Sequence, residues 1–196
     1  MKFTEHGTCI SQYNNVVDAS VFLKLLEEEC SQQWGYLNWQ RSTVGSGEVS
    51  DKRTSLGCEL SPLGADDIQI ERVKPLAKEW NALWAKIDPI VWDYRNNFEL
   101  DLEADEGYRV LKYGGGAEYT AHHDHFNTNN RVLSIVAFLN DGYTGGSLTF
   151  PRFNVSIEPK AGTVVLFPSN FPYIHIAEPV GESDNSVKYS LVSWFR

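Results

Sequence analysis

The chain has 196 residues, of which 42% are hydrophobic, 13% aromatic and 22% charged. This length allows one domain with a substantial core and is short for two, and the composition is ordinary for a globular protein. The net charge of −9 disfavours a nucleic-acid partner, because proteins that bind the phosphate backbone carry a basic face.

The cysteines and the apolar segments indicate in which cellular compartment the protein is found. Cys9, Cys30 and Cys58 are scattered without Cys-x-x-Cys spacing, which favours free thiols over a disulfide framework. Residues 1–7 contain no apolar run typical of a signal peptide, and no stretch approaches the roughly 20 apolar residues that span a bilayer. We therefore expect a cytoplasmic protein with no membrane segment.

Helical spacing of apolar residues appears twice in the first hundred residues. One predicted helix begins at Asp18, as a candidate N-cap, and reaches about Trp34. The second begins near Pro75 and shows one apolar face as far as Ile87. Pro89 is expected to end or kink it, because proline lacks the backbone N–H that a helix needs.

The region between these helices, residues 41–62, is rich in Ser, Thr and Gly and predicts one strand and a mobile loop at 45–52. After residue 107 the chain changes to short β-rich runs separated by Gly, Pro and Asn, whose spacing predicts a barrel or sandwich. No repeat or linker divides residues 1–196, so we predict one domain. The predicted strands are 108–113, 132–139, 147–150, 163–167, 172–177 and 187–195.

Three of the five histidines fall within residues 122–125, beside an aspartate. In an extended strand successive side chains face opposite sides, so His122 and Asp124 share one side while His123 and His125 share the other. His175 is the downstream histidine that could add a second imidazole, and two His and one carboxylate are typical of Fe(II) oxygenases. The His122-x-Asp124 pair alone is weak evidence for a metal site. Ligation by His123 and His125 instead, or a zinc site of His and Asp, remains open.

The residues around these histidines resemble a known family. Residues 113–124 fit the pattern Y-x-x-G-x-x-Y-x-x-H-x-D, which resembles the prolyl 4-hydroxylase branch of the 2-oxoglutarate dioxygenases. Gly-Gly-x-x-x-Phe-Pro at 145–151, Pro-Lys-x-Gly at 159–162 and the Lys-to-Trp spacing at 188–194 follow in the family's order. Arg-Thr-Ser-x-Gly at 53–57 is similar to plant and algal prolyl hydroxylases.

The resemblance implies a mainly β fold with N-terminal helices and a double-stranded β-helix (jelly-roll, cupin-like) core. Residues 101–196 would form this core with the metal site, and residues 1–100 would supply helical support and a substrate loop. It further implies Fe(II) as cofactor, 2-oxoglutarate and O₂ as cosubstrates and ascorbate as reductant. The implied reaction is hydroxylation of a prolyl residue in a peptide or protein.

The family's residues carry over to named positions. The implied roles are metal ligation by His122, Asp124 and His175, cosubstrate binding by Tyr113, Lys188 and Ser134, and substrate binding by Arg53, Tyr119 and Trp194. Ser134 stands where the family more often has Thr, and Phe138 stands where a Tyr hydroxyl often helps to hold the cosubstrate.

Two alternatives remain open at this point. The same oxygenase chemistry could act on another amino-acid side chain, a free amino acid or a small metabolite, because a fold does not fix a substrate. A cupin-like metal-binding module without turnover would keep the metal ligands, but it has no need of Lys188, Tyr113 and Trp194 in this order.

Overall fold

The structure is a computed structural model, and it describes residues 2–44, 47–64, 71–126, 130–183 and 186–196. Residues 45 and 46 of the loop predicted as mobile lie outside the described residues. Within the part of the chain that is described, no helix is long and apolar enough to cross a membrane.

The described residues form two α-helices, three short 3-10 helices and twelve strands. The α-helices are α1 (Ser20–Cys30) and α2 (Lys74–Asn97), and the 3-10 helices are Ser61–Gly64, Pro151–Phe153 and Phe171–Tyr173. The strands are β1 (Lys2–Glu5), β2 (Ser11–Asn14), β3 (Gln40–Arg41), β4 (Leu56–Glu59), β5 (Arg109–Tyr113), β6 (Tyr119–His122), β7 (Leu133–Phe138), β8 (Leu148–Phe150), β9 (Val155–Ile157), β10 (Thr163–Pro168), β11 (His175–Ala177) and β12 (Lys188–Phe195).

The strands form two antiparallel sheets that pack face to face. The larger sheet has the order β1-β2-β10-β7-β12-β5-β4-β3, and the smaller has the order β6-β11-β8-β9. Phe138 and Phe167 of the larger sheet pack against Leu148 and Phe150 of the smaller one. This arrangement is a double-stranded β-helix, and it confirms the fold class expected from the sequence.

The helices cover the other face of the larger sheet. Side chains alternate along β7, so that Ile135 packs in the same apolar cluster as Leu26 of α1 and Ile87 of α2, whereas Phe138 faces the smaller sheet. The larger sheet therefore has two buried faces, one towards the helices and one towards the cavity between the sheets.

The second helix continues through Pro89 to Asn97, so Pro89 does not end it. Proline at this position removes the hydrogen bond to the carbonyl of residue 85. Ile87, Ile90 and Tyr94 are buried on the core face of the helix, and their burial offsets the lost hydrogen bond. The first helix is shorter than expected, since it ends at Cys30.

The N-terminal half also contributes strands that periodicity did not predict. The β1-β2 hairpin extends the larger sheet through the pairing of β2 with β10. Each of these strands has four residues, which is too short for a pattern of alternation to stand out. Among the predicted strands, 172–177 begins only at His175, because residues 171–173 form a 3-10 turn.

We expect Pro89→Ala to stabilise the protein by about 2 kcal/mol, because alanine restores the missing N–H at an exposed position inside α2. Chemical denaturation measures the free energy of unfolding. Lys86→Ala, at another exposed position of the same helix, is the matched control and should change it by less than about 0.5 kcal/mol. An unchanged free energy in Pro89→Ala would contradict this account of the helix.

Candidate metal centre and cavity

Pairing between β6 and β11 sets His122 directly opposite His175. Asp124 follows two residues after His122, and each of its carboxylate oxygens lies near the Nε2 atom of one ring. His122 Nε2 is 3.7 Å from Asp124 Oδ1, and His175 Nε2 is 3.6 Å from Asp124 Oδ2. The three potential ligand atoms lie within 4.8 Å of one another. Bonds from histidine nitrogen or carboxylate oxygen to a divalent metal ion are about 2.1 Å long. Three ligand atoms at this spacing can therefore bind a single metal ion.

Both imidazoles are oriented by backbone carbonyls. The Nδ1 atom of His122 lies 2.8 Å from the carbonyl oxygen of Thr120, and that of His175 lies 3.0 Å from the carbonyl oxygen of Tyr173. A carbonyl oxygen only accepts hydrogen bonds, so each Nδ1 carries the proton. In the neutral imidazole the Nε2 atom then carries the free lone pair, and this is the nitrogen that faces the carboxylate in both residues and that can bind a metal.

Ser134 holds the carboxylate of Asp124, and Ser169 holds the backbone beside it. Ser134 Oγ donates to Asp124 Oδ2 at 2.7 Å and lies 2.7 Å from Ser169 Oγ. The backbone N–H groups of Asp124 and His125 both donate to the carbonyl oxygen of Ser169. Ser134, for which cosubstrate binding was predicted, directs its hydroxyl at the Asp124 carboxylate in this structure. Ser169 was not predicted, since it lies 45 residues from Asp124 in the sequence and matches no motif.

The electrostatics favour the metal-binding protonation states. Burial, followed by the charge of His175, lowers the pKa of His122 to about 3, so this imidazole is neutral at pH 7. Burial alone would raise the pKa of Asp124, but His175, His122 and hydrogen bonds from Ser134 and Trp194 lower it to about 2. A neutral imidazole beside an ionised carboxylate is the arrangement that a divalent cation requires.

The neighbouring histidines lie outside this cluster, as strand alternation predicted. The Nδ1 atom of His125 is 3.1 Å from the carbonyl oxygen of Arg131, and the ring of His123 packs near Phe126. In the regions described, the residues that converge on one point are His122, Asp124 and His175. Two imidazoles and one carboxylate leave coordination positions open, an arrangement typical of Fe(II) oxygenases.

A cavity of about 240 Å³ opens in front of the cluster, between the two sheets. Of the residues predicted to bind cosubstrate or substrate, all except Ser134 line it, namely Arg53, Tyr113, Tyr119, Lys188 and Trp194. The fold therefore brings together side chains that are up to 141 residues apart in the sequence.

Lys188 is buried in this cavity with only 2% of its surface exposed. Its Nζ donates to the carbonyl oxygen of Gly146 at 2.6 Å and lies 5.0 Å from the ring centre of Tyr113. It belongs to none of the ion pairs among the described residues. Burial lowers the pKa of Lys188 to about 8. A buried ammonium without a carboxylate is costly, so this group indicates a binding site for an anion.

Arg53 and Tyr119 form the wall beside His122. The ring of Tyr119 stacks on the imidazole of His122 with centroids 3.4 Å apart, and the guanidinium of Arg53 lies 4.7 Å from the centre of the Tyr119 ring. Arg53 NH1 donates to the carbonyl oxygen of Thr43 at 2.9 Å. Its Nε–H is buried without a hydrogen-bond partner among the described residues, and it is therefore available to a ligand.

Trp194 is fixed at the metal end of the cavity by Arg131, which the sequence analysis did not assign to the site. The guanidinium of Arg131 lies 3.8 Å from the centre of the Trp194 ring. Both Nε and NH2 of Arg131 donate to Glu106 Oε2, at 2.9 and 2.6 Å. The carboxylate neutralises the guanidinium, so Arg131 packs on the indole without adding a free charge to the cavity.

The cluster predicts which histidines bind a metal. Changing His122, Asp124 or His175 to Ala should abolish tight Mn(II) binding, measured by isothermal titration, because each removes one converging ligand atom. His123→Ala and His125→Ala are matched controls that should retain it. Loss of metal in His123→Ala together with retention in His122→Ala would contradict the arrangement, provided that circular dichroism shows both variants to be folded.

Comparison with known proteins agrees with this geometry. Residues 108–196 match the family model described as the 2OG-Fe(II) oxygenase superfamily. The chain is 29% identical over 102 residues to prolyl 4-hydroxylase subunit alpha-1 of Gallus gallus, a match that covers 46% of this chain and 18% of that protein. It is 23% identical over 171 residues to a putative prolyl 4-hydroxylase of Acanthamoeba polyphaga mimivirus, covering 77% and 65%. The chain thus aligns with less than a fifth of the chicken relative.

Solved structures show the same fold over nearly the whole chain. A prolyl hydroxylase from Trichoplax adhaerens, in complex with a hypoxia inducible factor peptide fragment, superposes with a TM-score of 0.69 at 19% identity, covering 96% of this chain and 84% of that one. A Pseudomonas putida prolyl-4-hydroxylase gives a TM-score of 0.66 at 23% identity, covering 97% and 94%. Over residues 108–196 the chain is thus similar to the 2OG-Fe(II) oxygenase superfamily, and the relatives that it matches are prolyl 4-hydroxylases.

Proposed function

We propose that the protein is an Fe(II)- and 2-oxoglutarate-dependent dioxygenase that hydroxylates a prolyl residue in a peptide or protein. One observation carries this proposal. The same cavity contains a His-Asp-His cluster suited to a metal and the buried ammonium of Lys188, which has no carboxylate partner among the residues that the structure describes. A metal-binding module without turnover would have no use for that second group.

His122, Asp124 and His175 would hold Fe(II), since their ligand atoms converge and the lowered pKa values keep the imidazole of His122 neutral and the carboxylate of Asp124 ionised. Lys188 would pair with the distal carboxylate of 2-oxoglutarate, and this contact would supply the missing negative charge. Tyr113 stands directly opposite Lys188 in the β5-β12 ladder, where its hydroxyl would reach the same carboxylate.

The substrate site would lie beside His122, at the wall formed by Arg53 and Tyr119, with Trp194 lining the same cavity. A polyproline II segment has no internal hydrogen bonds, so its carbonyl groups are free to accept from a protein donor. The Nε–H of Arg53, which has no hydrogen-bond partner in the described part of the chain, is such a donor. The net charge of −9 favours a neutral or basic peptide.

The segment that precedes Arg53 would serve as the substrate loop. Its described part folds back on itself, with Thr43 bridging Val49 and the N–H of Val44 donating to the carbonyl oxygen of Glu48. Thr43, Val44 and Gly47 all line the cavity. A peptide entering the cavity would therefore contact this loop, which supports the assignment of the loop to the substrate.

Bound Fe(II) would supply the oxidising chemistry, in which 2-oxoglutarate and O₂ yield succinate, CO₂ and a hydroxylated substrate, with ascorbate as reductant. The protein's own groups would bind and orient. Lys188 would fix one end of the cosubstrate, while Ser134 and Ser169 keep the Asp124 carboxylate in place. The apolar walls of the two sheets would exclude water from the reacting centre.

Two broader assignments belong to the same proposal. Residues 1–196 would form one domain, which is supported by the shared larger sheet, since β2 pairs in it with β10 and β4 pairs with β5. A reducing, cytoplasmic compartment is supported by the three cysteines, which are free thiols in the described structure.

The decisive experiment measures succinate release from 2-oxoglutarate by purified protein with Fe(II) and ascorbate, in the presence of a library of proline-containing peptides. Mass spectrometry should find a peptide with a gain of one oxygen atom that depends on 2-oxoglutarate. Asp124→Ala is the matched inactive control. Succinate release stimulated by a free amino acid but by no peptide would exclude the prolyl-peptide substrate and leave only the oxygenase.

Lys188 predicts a pH dependence of cosubstrate binding. Its pKa of about 8 in the free protein means that the ammonium loses its proton as pH rises through 8, and the dicarboxylate then loses its charge partner. The dissociation constant of 2-oxoglutarate for the Mn(II)-loaded protein, titrated under argon, should therefore rise above pH 8. Lys188→Ala should weaken binding by an order of magnitude or more at pH 7.

The control for this titration is Lys188→Arg, whose guanidinium stays charged over the whole range. Any affinity that this variant retains should not vary between pH 7 and 9. A wild-type affinity that is constant over the same range would exclude Lys188 as the charge partner of the cosubstrate.

A further inference from the structure

Two of the three cysteines are in contact across the fold, and the proposed mechanism uses neither. Cys30 is the last residue of α1 and Cys58 lies in β4, so they are 28 residues apart in the sequence, yet their Sγ atoms are only 3.8 Å apart. Both are free thiols in the described structure. The third cysteine, Cys9, lies elsewhere, where the hydroxyl of Tyr94 donates to its carbonyl oxygen.

The two sulfur atoms are close enough to be joined by a small movement. A disulfide bond is about 2.05 Å long, so half of the difference from the observed 3.8 Å is a shift of about 0.9 Å for each sulfur. β4 is fixed by its pairing with β5, whereas Cys30 closes a helix, and helix ends fray. The movement can therefore come mainly from the end of α1.

The surroundings of the pair limit which reagents can reach it. Cys58 is 1% exposed and belongs to the apolar cluster between the larger sheet and the helices, while Cys30 is partly exposed and packs against that cluster. A small oxidant can therefore approach from the side of Cys30. In the described part of the chain, the residues grouped as potential metal ligands do not include either cysteine, so the chemistry available here is that of two thiols.

The contact also makes the two sulfurs unequal. The hydrogen bond between them lowers the pKa of Cys58 and raises the pKa of Cys30. Cys58 is therefore the sulfur that loses its proton first, and the thiolate is the nucleophilic form of cysteine. Cys30 keeps its proton and lies beside this nucleophile, in the position of a partner that can complete a disulfide.

We propose that Cys30 and Cys58 form an oxidation site, which peroxides convert to a disulfide between α1 and β4. The Cys58 thiolate attacks one oxygen of hydrogen peroxide, which gives a sulfenic acid at Cys58 and releases hydroxide. The sulfur of Cys30 then attacks the Cys58 sulfur and displaces the hydroxyl group. The two thiols lose two electrons and two protons in all, and one peroxide is reduced to two molecules of water. This inference does not depend on the proposed function.

The disulfide would enclose residues 31–57, and this segment supplies part of the cavity wall. Thr43, Val44, Gly47 and Arg53 all lie in it and line the cavity. A cross-link restricts the unfolded chain more than the folded one. Oxidation should therefore stabilise the fold that holds this wall, and the oxidised protein should melt several degrees above the reduced protein.

The test follows the state of each cysteine. Reduced, Mn(II)-loaded protein is treated with hydrogen peroxide, then denatured and alkylated with iodoacetamide. Mass spectrometry should find Cys9 alkylated and the peptides of Cys30 and Cys58 joined to each other. Dithiothreitol should break this link and return the melting temperature of the protein to that of the reduced form.

Two variants are the matched controls. Cys9→Ser should form the same link. Cys30→Ser, at a partly exposed position, should form none and should melt at the same temperature before and after treatment, with circular dichroism to show that it is folded. Alkylation of both Cys30 and Cys58 after treatment would overturn the proposal, as would a sulfinic acid at Cys58 without a link, or a link that involves Cys9. A lower melting temperature in the oxidised wild-type protein would show that the link requires a distorted fold, which would overturn it too.

Discussion

The registration of β6 against β11 is the constraint on which the site depends. His122 and His175 form a directly opposed pair across these strands, and the carboxylate of Asp124 reaches both. A slip of one residue would move an imidazole to the other face of the sheet. β11 is also paired with β8, so the smaller sheet holds His175 from both sides. The two imidazoles are thus kept together by backbone pairing, whether or not a metal is bound.

The buried cations of the cavity are of two kinds. One is paired with a carboxylate and stabilises the fold, and the others have no such partner among the described residues and are suited to binding a ligand. Arg131 is neutralised by Glu106 and packs on Trp194, so it stabilises the wall. Lys188 and Arg53 are buried in the same cavity without an ion-pair partner among the described residues. Burying an unpaired cation destabilises a folded protein, and a bound anion would remove that cost. This contrast supports a cavity evolved for an anionic ligand.

The sequence predicts those features that depend on neighbours along the chain. Strand alternation placed His122 and Asp124 on one side although β6 ends at His122, because the backbone beyond it is still held by Ser169. Features set by distant residues could not be predicted. The hydroxyl of Ser134 turns to Asp124 because of the fold, and α2 continues through Pro89 because its core face is buried. Local propensity is overridden in both cases by tertiary contacts.

The side chains of the cavity wall are positioned most rigidly along β12. This strand pairs with β5 on one side and β7 on the other, so its backbone is fixed in the middle of the larger sheet. Lys188 and Trp194 project from the same face of β12. Lys188 lies at the end of the cavity suited to an anion, and Trp194 lies at the end next to the metal ligands. Because one rigid strand carries both, the distance between the two ends is set by strand geometry and does not depend on a loop. A ligand that must reach both ends is therefore selected by length as well as by charge.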